Sequence, residues 1–236
     1  MNITAMTYNI QSGKNLYKER DIDFSASVIR KIQPDFAVIN EVRSHTEDIG
    51  PVNQAQELGR LTGYYPVFGR SIDILGGEYG NAFLTRHPLL ETEVIPIPNP
   101  PEEEREQYFE PRTILRSVID VKGRRITVLG THFGLSPAEQ RLAVQTATET
   151  IRREENPVIL MGDLNMTPDD EIIQPLLAAL HDTADNRPAP KSFPSGKPEI
   201  KIDYIMHTEE IRTISLRSVN TQCSDHRPLI ANLAID

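Results

Sequence analysis

Short apolar runs recur from one end of this chain to the other, and polar residues able to bind a metal stand repeatedly where such a run stops. Asn9 follows Ile3 to Tyr8, Glu41 follows Phe36 to Asn40, His132 follows Ile126 to Thr131, and Asp163 with Asn165 follows Val158 to Met161. Runs of this kind read as buried strands, and strand ends are where α/β sheets place their chemistry. Asp203 in Lys-Ile-Asp-Tyr and the Ser224-Asp225-His226 segment before the last apolar run extend the set. Taken singly, an Asp or Asn after a strand is a turn former whose side chain bonds nearby backbone amides. Taken together, carboxylate and amide oxygens with few histidines and no clustered thiolates suit a hard divalent cation, magnesium or manganese rather than structural zinc. Such a cation belongs beside phosphate, where it neutralises phosphoryl oxygens while a nearby carboxylate orients or deprotonates an attacking water.

Between these points the pattern alternates without a linker, repeat or low-complexity tract, so residues 1–236 read as a single domain. Ile3 to Asn9, an amphipathic helix over Asp21 to Gln33 and a strand over Phe36 to Asn40 open the chain. A helix at Asn53 to Thr62 precedes strand candidates at Tyr65 to Phe68, Asn81 to Thr85, Glu91 to Ile95, Thr113 to Val121 and Arg125 to Thr131, with Lys122-Gly123-Arg124 as a hairpin turn. Ser136-Pro137 with Glu139 marks a capped helix start running to about Arg153. The chain closes with a strand at Pro157 to Met161, a helix at Asp170 to Leu180, and strands at Ile202 to Met206, Ile211 to Ser218 and Leu229 to Ala234. Consecutive strands mixed with separated helices favour two sheets with helices outside over a doubly wound parallel sheet.

Composition closes off several classes. No apolar run approaches the roughly 18 residues a bilayer span needs. Met1 to Ile10 lacks a basic head and a sustained apolar stretch, so no signal peptide is expected and the cytoplasm is the expected compartment. Cys223 is the one cysteine, which excludes intramolecular disulfides and cysteine-rich metal sites. With 25 basic and 34 acidic residues the net charge is −9, a balance that repels polyanions unless a site is locally basic. Gly-x-Ser-x-Gly is missing, and Gly76-Gly77 is not followed by Gly-Lys-Ser/Thr, so neither a serine hydrolase elbow nor a Walker phosphate loop is present.

One resemblance takes in almost the whole length. It is carried by Thr7-Tyr8-Asn9-Ile10, Ile39-Asn40-Glu41-Val42, Gly80-Asn81-Ala82-Phe83-Leu84-Thr85-Arg86, Thr131-His132-Phe133, Gly162-Asp163-Leu164-Asn165, Ile202-Asp203-Tyr204-Ile205 and Ser224-Asp225-His226-Arg227-Pro228. In this order they resemble the endonuclease/exonuclease/phosphatase superfamily of metal-dependent phosphoesterases, which includes DNase I-like nucleases, abasic-site endonucleases, inositol phosphatases and neutral sphingomyelinases. The resemblance implies a DNase I-like, four-layer α/β/β/α sandwich. It also implies a hydrolase that uses magnesium or manganese and in-line attack by an activated water.

By the same resemblance Glu41 is the principal metal ligand, with Asn9 alongside and Asp225 as a further acidic ligand or partner of one. Asp163 positions or activates the water, and Asn165 bonds to that water or to the phosphoryl group. A two-residue separation in extended chain would point both side chains to one face. His226 donates to a phosphate oxygen with Asp203 orienting its other nitrogen, and His132 contacts phosphate and assists the leaving oxygen. Asn81 and Arg112 are implied substrate contacts, and Arg86, Arg116 and Lys14 are weaker phosphate candidates. The chain departs from several nuclease branches at Gln11, where they carry an acid.

Substrate choice rests on loops. The longest candidates, Arg43 to Asn53 and Ile97 to Pro111, are acidic or neutral, and Glu102, Glu103, Glu104, Glu106 and Glu110 sit in the second. A duplex nuclease needs basic side chains over its rim. The expected partner is therefore a small or locally exposed phosphate ester rather than nucleic acid. A nuclease of the same fold and a catalytically silent binding module are the alternatives.

Overall fold

Caps decide where the helices start. Asp21 accepts the amide of Asp23, Asn53 accepts that of Gln56, and Ser136 with Glu139 forms a reciprocal capping box with Pro137 in the first turn. In the computed structural model, which describes residues 1–235, these caps open α1 (Ile22–Ile32), α2 (Gln54–Thr62) and α3 (Pro137–Arg153). A fourth helix, α4 (Gln174–Ala179), is shorter than the expected Asp170 to Leu180. The Asp170 carboxylate takes the amide of Ile172 and holds a turn there, and Pro175 sets the helix start behind it.

The strands are β1 (Asn2–Asn9), β2 (Phe36–Ser44), β3 (Tyr65–Ile74), β4 (Gly77–Thr85), β5 (Leu89–Pro96), β6 (Thr113–Val121), β7 (Arg124–His132), β8 (Val158–Asp163), β9 (His181–Asp182), β10 (Asp203–His207), β11 (Ile211–Ser218) and β12 (Leu229–Ile235). They form two six-stranded sheets, ordered β11-β12-β1-β2-β4-β3 and β5-β6-β7-β8-β10-β9. The turn joining β6 and β7 is Lys122-Gly123 alone, both at positive φ, which releases Arg124 into the strand.

Each sheet has one parallel pair near its centre, β1 with β2 through α1 and β7 with β8 through α3. Apolar residues on the facing sheet surfaces, among them Phe36, Val38, Phe83, Leu115, Val128 and Ile159, make the middle core. The sheets approach so closely that a Cβ added at Gly130 would lie 3.0 Å from Val38. Met6, Tyr8 and Ile39 pack against Ile29 and Leu58 of α1 and α2, and Leu129, Leu160 and Tyr204 pack against Ala147 and Leu176 of α3 and α4. Helix, sheet, sheet, helix is the four-layer α/β/β/α order expected from the resemblance. Among the described residues no helix is long and apolar enough to cross a membrane.

Candidate active site

The two parallel pairs end at one rim. Asn9 stands opposite Asn40 at the close of the β1–β2 register, and His132 stands opposite Asp163 at the close of β7–β8. Asp203 begins β10 directly across from Asp163. The segment before β12 is drawn in by the Ser224 hydroxyl, which donates to the Asn9 carbonyl at 2.7 Å, and by Ser195, whose amide donates to the Asp225 carbonyl at 2.6 Å. Pairing of β2 with β4 slips between Ile39 and Val42, and this bulge turns Glu41 out of the ladder at φ +60°.

Asn9 ties the two sheets' chemistry together, its amide donating to Glu41 Oε1 at 2.9 Å and Asp163 Oδ2 at 3.1 Å. Beneath it Asn40 donates to the Thr131 carbonyl and to Asn81 Oδ1, both at 2.8 Å, and accepts the Asp163 amide at 3.1 Å. A buried amide with every bond made is a rigid clamp. His226 lies between two carboxylates, with Nδ1 at 2.9 Å from Asp203 Oδ2 and Nε2 at 3.5 Å from Asp163 Oδ2. Burial alone would lower its pKa, but Asp203 and then Asp163 outweigh burial and push it up to about 10, so the ring is an imidazolium at neutral pH. Burial, reinforced by Asp203, raises Asp163 in turn.

His132 is the opposite case. Burial first, then the Arg112 and His226 charges, holds it well below the usual histidine range, so this ring is neutral. Arg112 Nη1 donates to its Nδ1 at 3.1 Å while Nη2 pairs with Glu110 at 3.0 Å. The Arg112 Nε–H is buried without a partner.

Two groups of oxygens invite a cation, and they differ. The facing atoms of Asp163, Asp203 and His226 all lie within 4.8 Å of one another. There, however, the imidazolium already faces both carboxylates. Glu41, by contrast, accepts only from Asn9, and burial followed by repulsion from Asp225 raises its proton affinity. Gln11 donates to Asp225 Oδ2 at 2.5 Å and leaves its own Oε1 buried without a partner. Two carboxylates and an orphaned amide oxygen with no ammonium among them fit a hard divalent ion. Glu41 and Asp225 open on a cleft of about 410 Å³. A larger groove, about 590 Å³, runs along α3 past Val144 and Ile172, but it contains none of them.

The sequence profile described as the Endonuclease/Exonuclease/phosphatase family matches residues 6–226. The chain belongs to this family. Solved structures of similar fold include an endonuclease/exonuclease/phosphatase from Beutenbergia cavernae, 24% identical, covering 99% of this chain and 72% of its own, at a TM-score of 0.79. A mannosyl-6-phosphatase from Bacteroides thetaiotaomicron is 14% identical, covers 99% of this chain and 100% of its own, and has a TM-score of 0.79. The human Nocturnin catalytic domain is 16% identical, covers 100% of this chain and 94% of its own, and has a TM-score of 0.73. At such identities the likeness speaks for the fold alone. No curated protein sequence matches the chain.

Within this family framework most of the expected residues converge. Glu41, Asp163, Asn165, Asp225, His132, His226 and Arg112 line the cleft, with Asn9 and Asp203 buried directly behind them. Asn81 does not line it. Its side-chain oxygen accepts from Asn40, which makes it a support of the clamp. Asn165 reaches the cleft for a different reason from the one expected. It lies past the end of β8 at φ +51°, its amide bonded to Asp163 Oδ1 at 3.0 Å, so a turn and not extended chain aims the pair. Arg116 is held by Glu154 and Glu91, Arg86 lies over the Tyr64 ring, and neither they nor Lys14 line the cleft. Sequence reasoning missed the clamp Asn40, as well as Tyr79 and Phe193, which also line the cleft. Phe193 packs on the His226 ring with centroids 4.9 Å apart. Asn40 carried a signal, a polar residue inside an otherwise apolar run.

Proposed function

We propose that this chain hydrolyses phosphate esters, with magnesium or manganese held by Glu41, Asp225 and the amides of Asn9 and Gln11. The observation that supports this reading is the bridge made by Asn9 between Glu41 and Asp163, which sets a cation-seeking carboxylate beside a carboxylate of raised proton affinity. When bound, the cation supplies charge neutralisation at phosphoryl oxygens. Asp163 orients the attacking water and receives its proton as the new bond from oxygen to phosphorus forms. The His226 imidazolium, kept charged by Asp203, donates to a phosphoryl oxygen as charge develops there. Arg112, which lines the cleft, contributes positive charge to the same group, and neutral His132 beside it is assigned to the leaving oxygen. The substrate is a small or locally exposed ester, because the cleft is compact and the net charge is −9.

A panel of nitrophenyl phosphate mono- and diesters, abasic DNA and inositol phosphates, each with magnesium, manganese or chelator, tests the reading. Chelator-sensitive turnover is expected. Asp163→Asn is expected to lower kcat by about a hundredfold or more while the circular dichroism spectrum is unchanged, the loss typical of removing general-base help. Parental turnover at saturating metal in this variant would remove Asp163 from the role.

A further inference from the structure

The cleft is polar at its base and offers little free positive charge, and two large apolar side chains stand exposed along it. Its lining cations besides the His226 ring are Arg43 and Arg112, and both are largely spoken for. Arg43 Nη1 donates to both oxygens of Asp48 at 2.8 Å and its Nε donates to Ser12 at 3.0 Å. Arg112 lines the cleft with Nη2 on Glu110 at 3.0 Å and Nη1 on His132 at 3.1 Å. One phosphate can therefore be met, while a second would face Glu110 or the acids of the site.

Around this anion seat, apolar and aromatic side chains stand among the polar ones. Tyr108 and Leu135 line the cleft while 72% and 55% exposed, and Phe193 and Ile74 complete the wall. Such side chains held open at a site's entrance are surface waiting for a ligand. Tyr108 is not adrift, because its loop is closed at the base by the Ile97 amide bonding to the Arg112 carbonyl at 3.0 Å. It is braced within by Arg105, which donates to the Pro100 carbonyl at 2.9 Å and lies over the Phe109 ring. The loop that delivers the phosphate-facing Arg112 thus also delivers the exposed ring.

Resting on the hydrolase reading above, we infer that the preferred substrate carries a single phosphate esterified to an apolar, ring-bearing alcohol, seated between Tyr108, Leu135 and Phe193. In its hydrolysis the water oxygen bonds to phosphorus as the ester bond breaks. The electron pair leaves with the alcohol oxygen, the proton that Asp163 takes from the water is passed on through solvent to that oxygen, and the water's other proton stays on the phosphate released.

The test compares 2-phenylethyl phosphate with ethyl phosphate, and the methyl diesters of both, since the two alcohols have similar acidity and differ mainly in apolar size. With magnesium, kcat/KM is expected to favour the phenylethyl member by about tenfold or more, the discrimination an added apolar group gains in a pocket. In Tyr108→Ala and in Leu135→Ser, both exposed positions, the ratio is expected to fall toward one. Tyr65→Ala, an exposed tyrosine outside the cleft, keeps the parental ratio. Turnover of both esters at equal kcat/KM, or a ratio that survives both cleft variants, overturns the specificity and leaves the hydrolase reading standing. Preference for a bisphosphate or an oligonucleotide does the same. No turnover of any ester with either metal sinks both.

Discussion

Glu41 occupies the left-handed backbone region at φ +60°, a conformation that costs a non-glycine residue about 1–3 kcal/mol. Its carboxylate is also destabilised, by burial and by Asp225. Neither term helps the fold, which is what the proposed metal-binding role of this side chain leads one to expect. Glu41→Gly is expected to match or exceed the parent in its urea midpoint, because it relieves backbone and charge together. Over the same series Glu41→Gln should shift the magnesium dependence of turnover to higher concentration. A clear loss of stability in the glycine variant, or an unmoved magnesium titration in the glutamine variant, counts against this account. The residue type was legible in the sequence as a carboxylate after an apolar run. The bulge that aims it was not, since slippage against β4 is decided by a strand that comes dozens of residues later.

Strand ends do the positioning at the next scale, and β8 with β10 is the tightest case. A Cβ at Gly162 would lie 1.8 Å from the Thr131 carbonyl oxygen, so only glycine lets β8 deliver Asp163 beside His132. Just before β10, Lys201 is buried with its ammonium 2.9 Å from Asp182, an ion pair without hydrogen-bond alignment, and over the Tyr204 ring. Burial lowers its pKa from 10.5 to about 8, and Asp182 only partly offsets this. Between those two values the unfolded chain binds the proton more tightly, so this lysine's contribution to stability grows as pH rises and is lost as pH falls through about 8. The melting temperature of Lys201→Met minus that of the parent should therefore decline from pH 7.5 to pH 10.5, about the window set by that shift. A flat difference would mean the amine is not buried as an ion. The helix starts at Asp21, Asn53 and Ser136 were readable because capping is local chemistry. The short α4 was misread because Asp170 serves a turn there, and apolar periodicity alone cannot tell a turn from a first helical turn.

For the whole molecule, the acidic balance, the Glu41 and Asp225 carboxylates and the orphaned Gln11 oxygen act together. A divalent ion bound there stabilises the folded state by mass action. At a hundredfold excess over its dissociation constant the gain is about 2.7 kcal/mol, or roughly 5–10 °C in melting temperature for a chain of this size. Magnesium added to chelator-treated protein should raise the melting temperature on that order, and Glu41→Gln should lose most of the rise; equal shifts in the two proteins would place the ion elsewhere. Sequence alone determined the layer order, the family resemblance and the identities of the residues that gather at the rim, because apolar period, caps and motif order are written locally. Only the tertiary structure decided which of them face the cleft. Asn81 bonded to Asn40, Arg116 and Arg86 found carboxylate and aromatic partners, and Asn40 became the clamp, since such choices depend on strand register and on partners brought close only when the two sheets pack.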